Sequence, residues 1–406
     1  MNALKFVIVG HVDHGKSTLI GRLLFDTKFL QADKMAEIER SSRNLGRETE
    51  FAFLLDHLQE EREQGITIDT AQTFFKHNGK EYVIIDAPGH IEFVKNMITG
   101  ASQAEAAILI VDANEGVQEQ TKRHANILSM LGIRQVIVVI NKMDLVGYME
   151  DPFIRLKNEI ENFLSTIKIR PTYYIPIGAL KGDNVANRSV NMYWYKGPTV
   201  LEAFDFFKAN SFSVKKLLFF PVQDVYKIDN KRVIVGKLES GKIFVGQKII
   251  VVPDKRITEV KTIEKFGEAP IEAFAGENIG ITTKDPFFIE RGTIICEEGG
   301  EPRVTDKFEA NIFLISREDL MEGESLVLRC VTEETVAKIE KIKKRINSSS
   351  LEILETNASA IKNLEVGEVF IKTVKPIAIA KFSDNEALGR FVLVKDGNIC
   401  AGGIIV

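Results

Sequence analysis

Gly10-His11-Val12-Asp13-His14-Gly15-Lys16-Ser17 sets a lysine and a hydroxyl directly after a second glycine, and Thr18 follows. In such a loop the glycines let backbone N–H groups turn toward one anion. The lysine adds positive charge, and the serine offers an oxygen to a divalent cation. The chemistry that needs this set is the holding of a nucleoside triphosphate. Gly10 through Thr18 would wrap the phosphates, Lys16 would face the β- and γ-phosphates, and Ser17 would face magnesium. Residues 4–9 predict a strand before the loop and 18–25 an amphipathic helix after it, which is the context the loop requires.

Asp86-Ala87-Pro88-Gly89-His90 closes a second apolar run, 82–85. A carboxylate there can hold magnesium, and Gly89, lacking a side chain, can bring its N–H up to a γ-phosphate. His90 follows at the point where an attacking water would be oriented. A lone histidine is more often a packing residue, but its place after this loop favours the catalytic role. Gly65-Ile66-Thr67-Ile68-Asp69 supplies a threonine able to sense the γ-phosphate through the metal. Lys16, Thr67 and His90 are thus the residues expected to act on the reacting phosphate, with Ser17, Thr67 and Asp86 around the metal.

Asn141-Lys142-Met143-Asp144 decides the base. A carboxylate at Asp144 accepts from both N1–H and the exocyclic amino group of guanine, an arrangement adenine does not present. Asn141 would fix the loop, and the stem of Lys142 would cover one face of the base. The expected ligands are therefore GTP or GDP with Mg²⁺.

These residues need a scaffold that brings several strand ends together. Apolar bursts at 6–9, 82–85, 106–111, 136–140 and 173–177 are short, rich in Val and Ile, and free of charge. They read as strands buried on both faces. Amphipathic stretches at 121–131 and 153–167 lie between them, so the expected fold class is α/β: a mainly parallel sheet with helices on both faces. Beyond residue 210 the texture changes to short alternating segments punctuated by Gly, Asp-Asn and Pro, which predict two all-β barrels. The expected domains are 1–210 for nucleotide, then barrels over 213–301 and 302–406. In 336–346, Ile339, Ile342 and Ile346 have helical spacing inside a β block, and helix and strand both stay open.

Over 406 residues the chain carries 45% hydrophobic and 27% charged residues with a net charge of −4, so it is globular with no general nucleic-acid footprint. No DNA partner is expected. Cys296, Cys330 and Cys400 lack metal or disulfide spacing. With no signal peptide and no apolar run near the ~20 residues of a membrane span, a cytoplasmic location and no membrane partner are expected. The run Lys338, Lys341, Lys343, Lys344 and Arg345 reads as a solvated face rather than an RNA patch, because Glu340 interrupts it. Phe206-Phe207 and Phe219-Phe220 read as core at domain junctions. Tyr193-Trp194-Tyr195 suits either an interface anchor or ordinary packing.

GHVDHGKST, EREQGITID, DAPGHIEFVKNMITGASQAEAAILIVDA and NKMDL together resemble the translation-factor class of GTPases. Within that class, residues 182–205, SGKIFVGQKIIVVP, AFAGENIGI, RGTII, GRFVLVKDG and AGGII resemble the GTPase (large) subunit family of sulfate adenylyltransferase, or ATP sulfurylase. That resemblance implies an energy-coupling subunit. It would pair with a smaller nucleotidyltransferase that joins ATP and sulfate into adenylyl sulfate, the uphill step being driven by GTP hydrolysis. The alternative is an elongation-factor-like GTPase delivering aminoacyl-tRNA, the one reading that carries tRNA as partner. The resemblance also places Gly178-Ala179-Leu180 at the base-contacting loop, where the family usually has Ser-Ala-Leu, with the Ala179 N–H meeting guanine O6. Other departures are the elongation-factor-Tu-like GHVDHGKS, DAPGH in place of DTPGH, and Tyr193 where proline is common. No adenylylsulfate kinase extension is expected beyond the second barrel.

Overall fold

The computed structural model describes residues 3–29, 71–88, 90, 94–101, 104–208, 217–228, 231–265, 268–285 and 288–406. The chain divides into two compact units, Met1–Ala209 and Asn210–Val406.

The first unit is built on one six-stranded sheet. Its strands are β1 (Leu4–Gly10), β2 (Ala71–His77), β3 (Lys80–Asp86), β4 (Ala106–Asp112), β5 (Gln135–Asn141) and β6 (Tyr173–Pro176), in the order β2-β3-β1-β4-β5-β6. All neighbours are parallel except β2, which pairs antiparallel to β3 at the edge. All five expected bursts are strands. β4 is buried at every position, as a charge-free Ala-Ala-Ile-Leu-Ile-Val run in a covered sheet should be. β2 was not expected. Its sequence AQTFFKH has no apolar burst, because an edge strand keeps alternate residues in solvent.

The described helices of eight or more residues are α1 (Lys16–Asp26), α2 (Val94–Ala101), α3 (Glu119–Met130) and α4 (Glu150–Thr166). The unit ends in a short helical turn, Val200–Ala203, started by a capping box in which Thr199 and Glu202 satisfy each other's backbone N–H groups. That turn delivers Phe204 and Phe207 to Phe6, with ring centroids 4.8 and 6.0 Å away. Phe207 is thus core, whereas Phe206 is half-exposed with its ring edge-on to Tyr173.

Among its described residues the second unit is all-β apart from one short turn of helix, Glu386–Gly389. Strands β7 (Phe219–Ile228), β8 (Lys231–Lys237), β10 (Lys248–Val252), β11 (Arg256–Glu264), β13 (Asn278–Thr283) and β14 (Ile294–Cys296) form a closed barrel. A small ribbon of β9 (Lys242–Phe244) and β12 (Glu272–Phe274) stands beside them. Next come β15 (Arg303–Leu314), β17 (Ser325–Cys330), β18 (Glu333–Asn347), β21 (Glu365–Ile379), β22 (Arg390–Lys395) and β23 (Asn398–Ile405), separated by the short pair β16 (Leu320–Met321) and β20 (Ala360–Ile361). These six close into a second ring through the β17–β18 pairing, and β19 (Ile353–Thr356) hangs on β18. Phe220 fills the first barrel, and Phe219 points outward to a seam with Ala378 and Leu388. A cleft of about 1150 Å³ between the barrels, with Leu217, Arg303 and Phe370 in its walls, includes none of the candidate nucleotide residues.

The ambiguous segment 336–346 is strand. β18 slips register between Ile339 and Lys341 and again between Ile342 and Lys344. Each bulge inserts a residue into an alternating pattern, so Ile339 and Ile342 face inward although they lie three apart. Three of the five basic residues of the run are ion-paired: Lys344 meets Glu368 at 2.9 Å, Arg345 meets Glu355 and Glu365 at 3.0 and 3.1 Å, and Lys343 meets Glu309. All three cysteines are buried thiols.

Candidate functional site

The carboxyl ends of the parallel strands carry the chemistry. Gly10 ends β1, Asp86 ends β3, Asp112 ends β4 and Asn141 ends β5. With β1 central and its connections leaving to both sides, the crevice beyond these ends is where an open parallel sheet takes a ligand.

The loop after β1 leads into α1 through Gly15, which has φ of 93°. A side chain at Gly15 would be strained, and its Cβ would fall on the amide nitrogen of Asn141. Helix α1 has no side-chain cap and no acidic residue in its first turn, so its leading N–H groups point into the loop. Lys16 is buried and its ammonium donates to the carbonyls of Gly10 and His11 at 3.1 and 2.8 Å. Burial pushes its pKa down to about 8, against the fields of Asp86 and Asp13, which favour its charge. The loop therefore holds a desolvated cation that gains from an anion.

His14 is fully buried, its Nδ1 3.4 Å from the Ile110 carbonyl and 3.3 Å from the Asp112 N–H, and its Nε2 3.4 Å from the Glu115 carboxylate. Burial drives its pKa down to about 4, so the ring is neutral at physiological pH. His11 is also lowered, by burial first, and Lys16 and His90 add to this effect. The phosphate loop and the half-buried His90 are thus within each other's electrostatic reach. Ser17 and Thr18 occupy the first turn of α1. Thr67 and Gly89 lie outside the described residues.

Asp86 is buried at the end of β3. Its carboxylate and the Ser17 hydroxyl are hard oxygen donors that suit magnesium. Among the described residues, no group of three or more His, Cys, Asp or Glu forms a separate metal cage. Of the described residues, these two side chains could serve a cation, together with phosphate oxygens.

On the base side, Asn141 donates from Nδ2 to the His14 carbonyl at 2.9 Å and accepts from the Ala179 N–H at 3.0 Å. The Ala179 N–H expected at guanine O6 is therefore already engaged by Asn141. Contact with O6 would have to share that donor. Leu180 follows, 42% exposed, at the mouth of the loop. Asp144 lies in a short 3₁₀ segment, Met143–Val146, and is partly exposed. Lys142, with φ of 60°, places its ammonium 2.7 Å from Asp112.

Sequence reasoning missed Asp112. Its carboxylate also accepts from the N–H groups of Asn114 and Glu115 at 2.7 and 3.3 Å. Burial raises its pKa, but Lys142 and these amides outweigh burial and hold it low. The signal was present: an acid closing a wholly apolar strand, as Asp86 does. Trp194 and Tyr195 pack on Phe153, with ring centroids 5.3 and 6.2 Å away, whereas Tyr193 is 78% exposed.

The description of the elongation factor Tu GTP binding domain matches residues 1–219, and that of the eEF1A-type C-terminal domain matches residues 307–406. The chain belongs to the elongation factor Tu family of GTPases. It is 37% identical to an elongation factor 1-alpha of Methanocorpusculum labreanum, over 99% of this chain and 96% of that protein. It is 39% identical to the elongation factor 1-alpha of Pyrococcus horikoshii, over 99% and 97%. It is also 38% identical to the bifunctional enzyme NodQ of Rhizobium sp. N33, over 96% of this chain and 61% of that protein. As a translation-factor-like GTPase it binds guanine nucleotide. No helix among the described residues is long and apolar enough to cross a membrane.

Proposed function

We propose that this GTPase is the energy-coupling subunit of a sulfate adenylyltransferase, hydrolysing GTP to drive adenylyl sulfate synthesis by a smaller nucleotidyltransferase subunit in the cytoplasm. The observation that carries the reading is the segment 182–205, which resembles that subunit family. The match to a bifunctional enzyme at the same identity as the elongation factors is in keeping with it. Three domains, 1–210, 213–301 and 302–406, are the proposed moving parts.

In this proposal the phosphates lie against the α1 N–H groups and Lys16, with Gly89 at the γ-phosphate. Ser17, Thr67 and Asp86 hold magnesium, which when bound neutralises charge on the β- and γ-phosphates. His90 orients the water for in-line attack. Asn141, Lys142 and Asp144 hold the base with Ala179 and Leu180. Loss of the γ-phosphate releases Thr67 and the loop from Asp86 to His90, and the partner reads that change.

A second reading is an elongation factor delivering aminoacyl-tRNA. It is favoured by the relatives named elongation factor 1-alpha that span the whole chain. Pull-down on the GTP-loaded chain, with bound protein and RNA both identified, separates the two. A nucleotidyltransferase that makes adenylyl sulfate only with GTP supports the first, and aminoacyl-tRNA without such a partner sinks it.

A further inference from the structure

Tyr148 lies four residues beyond Asp144, in the left-handed region at φ of 58°. A bulky residue seldom takes that conformation, so something must hold it there. Three bonds do. Its N–H donates to the Met143 carbonyl at 2.8 Å, its carbonyl accepts from the Trp194 indole at 2.9 Å, and its hydroxyl donates to Asp183 Oδ2 at 3.1 Å. The Lys181 ammonium sits 5.9 Å from the ring centre.

Asp183 belongs to the other base loop. Its backbone N–H and carbonyl both pair with Gly178 at 3.1 Å, immediately before Ala179. Its Oδ1 accepts from Ser189 Oγ at 2.5 Å and from Asn191 at 3.3 Å. A Cβ on Gly178 would stand 3.0 Å from Oδ2, the oxygen that receives the tyrosine. The glycine where relatives of the sulfurylase type usually have serine thus leaves room for this carboxylate.

We propose that the Tyr148–Asp183 hydrogen bond is a clasp between the two guanine loops, fixing Asp144 against the Ala179–Leu180 turn and so setting guanine selectivity and nucleotide release. Tyr148 and Asp183 are positioning residues, acting through Asp144. The proposal rests on the guanine-nucleotide reading of the site. Burial and the facing Asp183 push the Tyr148 hydroxyl up to about 12, so it stays a donor across the physiological range.

The test uses the full chain with Tyr148→Phe, which removes only the hydroxyl, and Asp183→Asn as a second variant. Release rates of fluorescent GDP and IDP are measured, with single-turnover GTP hydrolysis as control. Both variants should release GDP about ten-fold faster, and the preference for GDP over IDP should fall about five-fold, because IDP lacks the amino group that Asp144 reads. Single-turnover hydrolysis should not change. Equal acceleration for GDP and IDP, with the preference intact, would mean the bond only supports the fold and overturns the clasp. A wild-type chain with no preference for GDP over ADP would instead overturn the guanine reading beneath it.

Discussion

Asn141 reaches across the crevice to His14: its side-chain amide donates to the His14 carbonyl at 2.9 Å, joining the base loop to the phosphate loop. The other end of the same amide accepts from Ala179. One buried side chain thus fixes the spacing between the phosphate and base subsites. Asn141→Ala would leave the His14 carbonyl and the Ala179 N–H without this partner. It should weaken GDP binding by about 2–4 kcal/mol. Equilibrium titration with fluorescent GDP measures this, and an affinity within a factor of two of wild type would show the bridge to be idle.

Lys16 gives a pH dependence with a definite sign. Its pKa in the ligand-free protein is about 8, and a bound phosphate favours the charged form. Above about pH 8 binding must therefore take up a proton, and GDP affinity should fall by up to about tenfold per pH unit. The ligand-free fold behaves oppositely: its pKa lies below the unfolded value, so the cost of burying the charge is relieved as pH rises above about 8. Calorimetry in two buffers of different ionisation enthalpy reads the proton uptake directly.

His90→Ala should keep GTP affinity and lose roughly 100- to 1000-fold in single-turnover hydrolysis. Unchanged turnover would remove His90 from the water-orienting role.

Asp144→Asn should exchange guanine for xanthine, because the amide NH₂ can donate to the xanthine C2 oxygen while its single oxygen cannot accept from both N1–H and the amino group of guanine as a carboxylate does. Competition between GDP and XDP should shift by at least about 100-fold toward XDP.

In β18, Ile342 is fully buried and Ile346 only partly. Ile342→Ala should cost about 2–4 kcal/mol in urea unfolding and Ile346→Ala clearly less, whereas a helix would place both on one face. Equal costs would contradict the bulged strand.

The parts of the site that follow from local chemistry were legible in the sequence. The loop from Gly10 to Ser17, Asp86 and Asn141 to Asp144 each lie within a few residues of a strand end, so pattern and position coincide. What was hidden depends on contacts between distant segments. Asp112 looks like any strand terminus until Lys142 is seen against it, and Tyr148 looks like a loop aromatic until Asp183 is brought to its hydroxyl. β18 was ambiguous because its bulges turn a period of two into steps of three that imitate a helix. The edge strand β2 lacked the apolar run that marked its neighbours.

The proposed function couples GTP hydrolysis in this chain to adenylyl sulfate synthesis by a partner. The most direct measurement is adenylyl sulfate formed per GTP hydrolysed by the complex of this chain with its nucleotidyltransferase, for wild type and for His90→Ala. Synthesis above the uncoupled equilibrium should track GTP hydrolysis and be lost in His90→Ala. Undiminished synthesis in the His90 variant, or in the absence of GTP, would contradict it.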